Sequence, residues 1–242
     1  MTVDAFAKRH GFEQWSEPKR GEAALFIWRF ALGGQELPGH DAVRIETELR
    51  PDARASASLW SPERKDNVLV RVDVIEAPSV PAARVELLRV LADFQSPQIS
   101  RLDGGPGDVA FGPGGYRAVA FARANLVVVV RNAGDEVEPV ETPARELDQL
   151  LREGPAAERS SVRPAIRRAA AEVADREARL LVDAEDPLGR HLWFRFSAKS
   201  GQFLEQDDSI VFRPESDGKQ AIEVAAINEN LGVAREQVEF TI

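Results

Sequence analysis

The sequence predicts an α+β body, a mainly antiparallel sheet with helices on one face, followed by an all-β body. Three observations carry this. Residues 116–132, YRAVAFARANLVVVVRN, are the most strand-like stretch of the chain and read as a hairpin. Two helical stripes, at 79–94 and 142–151, interrupt the alternating segments of the first part. Beyond residue 162 only short alternating segments separated by turns remain.

The hairpin is argued from side-chain shape. Leu126 to Val130 are large aliphatic residues, four of them β-branched, stiff at χ1 and suited to a pleated surface. On the other arm Val119 and Phe121 alternate with Ala118, Ala120 and Ala122, which puts bulk on one face and methyl groups on the other. The alanine face predicts close approach of another element, a helix. Ala124-Asn125 between the arms is the expected turn, since Asn tolerates positive φ. One long buried strand is the other reading, and it exceeds the usual strand length of about 5–6 residues.

The remaining elements follow in order. Residues 3–12 read as a short helix, and 23–32 (AALFIWRFAL) as a buried strand. Residues 37–41, with Pro38 and Gly39, read as a loop. Residues 42–49 alternate Val43, Ile45, Thr47 and Leu49 against charged neighbours, so they predict a half-buried strand. Residues 55–60 read as another strand, and in 67–76 the valines 68, 70, 72 and 74 share one face. The helix at 79–94 has Ser79 as N-cap, Pro81 in its first turn and an apolar stripe of Val85, Leu88, Val90, Leu91 and Phe94. A loop at 104–107 leads to a short strand at 108–111. The helix at 142–151 has Thr142 as cap, Pro143 at its first position and Leu147, Leu150 and Leu151 inward.

Residues 154–161, GPAAERSS, have linker composition. The expected division is therefore an α+β domain over 1–155, a linker at 156–161, and a β-sandwich over 162–242. In the last part 166–173 fits helix by its Ala and Arg content and strand by its place. Strands are expected at 179–184, 192–198, 203–204, 209–213, 220–228 and 237–242, with turns at Asp186-Pro187-Leu188-Gly189, Ser200-Gly201 and Asp217-Gly218.

Composition narrows the function classes. The chain has 242 residues and a net charge of −9. Residues 1–155 carry 19 basic and 24 acidic side chains and residues 156–242 carry 12 and 16, so neither part matches nucleic acid or an anionic membrane. There is no cysteine, hence no disulfide, thiolate nucleophile or cysteine-held metal. No apolar run approaches the roughly 20 residues of a membrane span. Residues 2–9 lack the apolar core of a signal peptide, so the protein is cytoplasmic unless a leader has been removed.

No catalytic set is apparent. His10, His40 and His191 have no second ligand at metal spacing, and no Gly-x-Ser-x-Gly elbow occurs. The runs 104–107 and 112–115 lack the Lys-Ser/Thr of a phosphate loop and read as turns. Asp183, Glu185 and Asp186 are the calcium candidates, clustered carboxylates at a β-module turn. Asp108, Arg123 and Asn125 are candidate ligand-binding residues. They also have a structural reading, in which Asn125 fixes the turn and Arg123 pairs with an acid such as Asp108. Trp193 is expected in the core of the sandwich.

Two resemblances add to this. Asp186-Pro187-Leu188-Gly189, the aromatic strand 193–196, Gly201, Phe212-Arg213-Pro214 and the 228–232 turn resemble bacterial immunoglobulin-like modules of the PKD and cadherin-like type. In the first part, GDVAF at 107–111 and Phe-x-Arg-x-Asn at 121–125 resemble an uncharacterised bacterial α+β domain, whose members often carry Gly where this chain has Ala124. The first resemblance implies a sandwich and an extracytoplasmic or cell-envelope location; neither implies an activity.

The function expected is therefore non-enzymatic binding, with the immunoglobulin-like part as spacer or interaction module and a protein or cell-envelope partner. A small-ligand carrier or enzyme, with its site in the first domain, is the alternative. Assembly through exposed sheet edges is a third reading.

Overall fold

The computed structural model describes residues 8, 21–49, 54–62, 67–94, 98–155 and 162–242. The helix expected at 3–12 and the linker at 156–161 therefore fall, apart from Lys8, outside the described residues. The described chain is mostly antiparallel β-sheet with two helices. The first part contains β1 (Ala24–Trp28), β2 (His40–Leu49), β3 (Arg54–Pro62), β4 (Val70–Glu76), α1 (Val80–Asp93), β5 (Ser100–Arg101), β6 (Val109–Gly112), β7 (Ala118–Arg123), β8 (Leu126–Asn132) and α2 (Glu141–Glu153). The second contains β9 (Ala165–Ala174), β10 (Glu177–Glu185), β11 (Leu192–Ala198), β12 (Gln202–Gln206), β13 (Ser209–Arg213), β14 (Lys219–Asn228) and β15 (Val233–Thr241).

Three sheets result. Seven strands pair in the order β2-β3-β4-β8-β7-β6-β5, four as β1-β11-β14-β15, and four as β12-β13-β10-β9. The hairpin is present, with Arg123 paired to Leu126 across a two-residue turn. Its turn differs from expectation in one respect. Ala124 takes the positive φ of 52°, and Asn125, not Ala124, has its side chain occupied elsewhere.

The helices cover opposite faces of the seven-stranded sheet, which corrects the expectation of one face. Ala83, Leu87 and Leu91 of α1 pack on Ala120, Ala122, Val127 and Val129, so the alanine face does admit a helix closely. Ala144, Leu147, Leu150 and Leu151 of α2 pack on the other face, with Val119, Phe121, Val128 and Val130. Both faces of β7 and β8 are apolar, and each therefore requires its own cover. Ser79 caps α1 by accepting from the Ala82 amide at 3.3 Å, as its type predicts. The inward stripe is shifted: Val85, expected inside, is exposed. Thr142 lies within α2, whose N-cap is Val140 without a side-chain bond.

The cores do not follow the division at 155/162. β1 pairs antiparallel with β11, from Ala24↔Ala198 to Trp28↔Phe194, so the first strand belongs to the sheet of the second part. One face of that sheet, with Phe26, Trp28, Phe194 and Phe196, shares a core with Leu180, Phe203, Ile210 and Phe212 of the outer sheet. The other face presents Ile27, Trp193, Ala225 and Ile227 to the cluster that includes α2 and the seven-stranded sheet. Trp193 thus fills the junction core, edge-on to Phe30 at 5.1 Å, and not the space between the two four-stranded sheets. The reason is that β1 is apolar on both faces and β11 adds Trp193 to the junction side, and a strand apolar on both faces is stable only where both are covered.

Residues 166–173 are strand, within β9. On β2 the alternation does not mark burial, because Val43 and Ile45 are exposed on an edge strand.

Candidate functional site

Where α1 begins, the tip of the β7–β8 hairpin meets β1 and β12, and a cleft of about 880 Å³ opens. Arg84 of α1, Arg101 of β5, Arg123 of β7, Arg152 of α2, Arg195 of β11 and Arg213 of β13 all line it. The acids lining it are Glu22, Asp108 and Glu205. Arginines thus outnumber acids in the lining of a chain whose net charge is −9, although Arg123, Arg152, Arg195 and Arg213 are each ion-paired to an acid. The arginines come from six different elements, so no spacing in the sequence announces them.

Several of these side chains are held rigidly. Arg123 donates through Nε and Nη2 to Asp148 at 2.7 and 3.0 Å and also pairs with Asp108. The second oxygen of Asp108 accepts from the Ala124 amide at 2.8 Å. Burial pushes the Asp108 carboxyl up, and Arg123 pulls against it. Burial works against the charge of Arg123, and Asp148 and Asp108 outweigh it and raise its pKa. Arg195 donates from Nε and Nη2 to the Arg152 carbonyl at the end of α2, at 3.0 and 2.6 Å, and from Nη1 to Glu223 at 3.1 Å. Arg213 pairs with Glu177 at 2.6 Å. Arg101 is exposed and makes no ion pair among the described residues.

The three candidates at the hairpin separate. Asp108 and Arg123 line the cleft; Asn125 does not. Asn125 is fully buried. Its Oδ1 accepts from the Ile27 amide at 2.8 Å, and its Nδ2 donates to the carbonyls of Ile27 at 2.7 Å and Ala77 at 3.0 Å. It acts on β1 as a neighbouring strand would, satisfying both backbone groups of Ile27.

The calcium candidates are not gathered. The Glu185 carboxylate pairs with Arg167, and Asp183 is exposed on β10. Asp186 is buried and accepts from Arg190 Nε and Nη2 at 2.8 and 2.7 Å, Asn228 Nδ2 at 2.7 Å and the Leu188 amide at 2.9 Å. Arg190 above all holds this carboxyl well below the ordinary range. With its oxygens so engaged it fixes the turn against β14. No group of three metal-ligating side chains occurs among the described residues.

A second depression, of about 570 Å³, is lined by Glu76, Arg54, Arg29, His191 and Asp208 among others. Glu76 is almost fully buried and accepts from the amides of Arg29 and Phe30, both at 2.8 Å, and from Arg54 at 3.1 Å. Arg54 reaches on to Glu205 at 3.0 Å, and Glu205 accepts from Trp28 Nε1 at 3.0 Å. Burial raises the Glu76 carboxyl to about 7 against the pull of Arg54 and the two amides. His191 contacts the Arg29 carbonyl at 2.9 Å, while His40 contacts Pro38 O at 3.1 Å and lines neither depression.

Compared with known protein families, curated proteins and solved structures, the chain matches none of them.

Proposed function

We propose that the protein is a non-enzymatic binding protein whose arginine-lined cleft receives an anionic ligand. The observation that carries this is the convergence of six arginines on one cleft of an otherwise acidic chain, of which Arg123, Arg152, Arg195 and Arg213 are ion-paired and Arg101 is exposed with no ion pair among the described residues. Guanidinium groups present planar donor pairs to carboxylate, phosphate or sulfate. Those of Arg123 and Arg195 are already oriented by neighbours, which lowers the entropic cost of ordering them on binding. In this reading Asp108 and Arg123 form part of the wall, and Asn125 supports it from behind.

The second part serves as spacer or interaction module. Its two four-stranded sheets, closed around one aromatic core, support the immunoglobulin-like reading, although β1 contributes a strand that such a module usually supplies itself. An extracytoplasmic or cell-envelope location, with a protein or envelope partner, goes with that reading. A catalytic reading receives less support, because Glu76, the acid with its pKa near 7, already accepts from two amides and an arginine.

The test is calorimetric titration with citrate, inorganic phosphate and sulfate at low and high salt. Binding that weakens with ionic strength and falls about tenfold in Arg101→Glu is expected. No heat with any of the three, and none with larger polyanions such as heparin, overturns the reading.

A further inference from the structure

The cleft has a wall that small anions do not need. β1 is the edge of its sheet, and residues 22–25 line the cleft. In an antiparallel strand the amide and carbonyl of one residue point to the same side, alternating along the chain. Asn125 binds both backbone groups of Ile27 from the side away from β11. Leu25, two residues before Ile27 in β1, therefore turns its backbone groups to that same open side. Among the described residues Leu25 makes no hydrogen bond there. The neighbouring edge, β12, is already covered where the Glu205 amide donates to Pro78 O at 2.8 Å. One short length of free strand edge thus lines the same cleft as the six arginines, of which Arg101 makes no ion pair among the described residues.

Resting on the anionic-ligand reading above, we infer that the occupant is an acidic polypeptide segment in extended conformation, which pairs with the edge of β1 at Leu25 as an added strand. Its main chain would take the place beyond Asn125, which already mimics a partner strand at Ile27. Its acidic side chains, alternating along one face, would then lie among the arginines that line the cleft, Arg101 above all. Charge complementarity selects the acidic sequence, and the strand edge selects the extended backbone.

The experiment is fluorescence polarisation on the full chain with a labelled peptide of about eight residues alternating Glu and Val, and with the same peptide N-methylated at every second residue. Saturable binding of the first, weakened about tenfold or more by N-methylation and by Arg101→Glu, is expected. Equal binding of both peptides means that charge alone holds them and overturns the strand pairing while the anionic cleft stands. Binding of citrate or phosphate without peptide binding has the same meaning. Absence of binding by peptides and small anions alike overturns the cleft reading itself, and this inference with it.

Discussion

Every polar atom of the Asn125 side chain is committed to backbone: the Ile27 amide, the Ile27 carbonyl and the Ala77 carbonyl. Asn125→Ala strands three buried backbone groups, each costing about 1–3 kcal/mol when unsatisfied. A loss on the order of 3–5 kcal/mol is expected, read as a lower urea midpoint with unchanged slope. A loss under about 1 kcal/mol would show that water or a shifted turn satisfies those groups. Glu76 makes a different prediction. Its folded pKa of about 7 lies above the ordinary 4.5, so between those values the folded state holds a proton that the unfolded state has released. Stability from this group is therefore full below about pH 4.5 and declines as pH rises to about 7, by up to roughly 3 kcal/mol. Urea unfolding at several pH values should show that decline in the native chain and a flatter profile in Glu76→Gln. Identical slopes in the two proteins would assign the effect to other groups. Residue types announced little of this. Asn125 was legible as special from its place in a turn, but its partners lie 98 and 48 residues away. Nothing in the local sequence separates a turn-forming Asn from a clamp, or Asp186, whose oxygens Arg190 and Asn228 occupy, from a calcium ligand.

At the scale of elements, periodicity told most where one face is buried and least where both or neither are. β4 alternates cleanly, with Val70, Val72 and Val74 buried, and was legible. β2 alternates equally well, yet it is an edge strand with Val43 and Ile45 exposed, because alternation records pleat and not cover. β1 does not alternate, and that was the available sign of a strand buried on both sides. The GDVAF segment shows what a motif encodes here. Gly107 has φ of 76°, and a β-carbon placed on it would lie 2.4 Å from the Ala122 carbonyl oxygen. The chain must pass this close because the Asp108 amide donates to that same oxygen at 2.7 Å, starting the β6–β7 pairing. Gly107→Ala combines a disfavoured φ with a backbone clash, so a destabilisation of about 2–4 kcal/mol is expected. Loss of the Asp108–Arg123 pair should accompany it, since Asp108 adjoins the displaced residue. A thermal midpoint within a degree of the native value would refute the close approach.

For the whole molecule the central fact is that β1 crosses the expected boundary. Composition suggested a linker at 156–161, which lies outside the described residues; what composition cannot show is a strand contributed from over a hundred residues upstream. Excising 162–242 removes β1 from the edge of its sheet and bares the face formed by Trp193, Ala225, Ile227, Leu231 and Val233. It also opens the aromatic core on the other face, where Phe26 and Trp28 pack on Phe194, Phe196 and Phe203. A fragment with both defects exposes an apolar patch and a strand edge together, the two features that lead to association. The fragment 162–242 alone is therefore expected to aggregate or to give collapsed amide resonances, and addition of a synthetic peptide spanning residues 21–32 should restore dispersion by supplying β1. In the intact protein the shared core predicts a single calorimetric transition whose van 't Hoff and calorimetric enthalpies agree. A well-dispersed spectrum from 162–242 without the peptide, or two separate transitions in the intact chain, would establish that the second part is cored independently of β1.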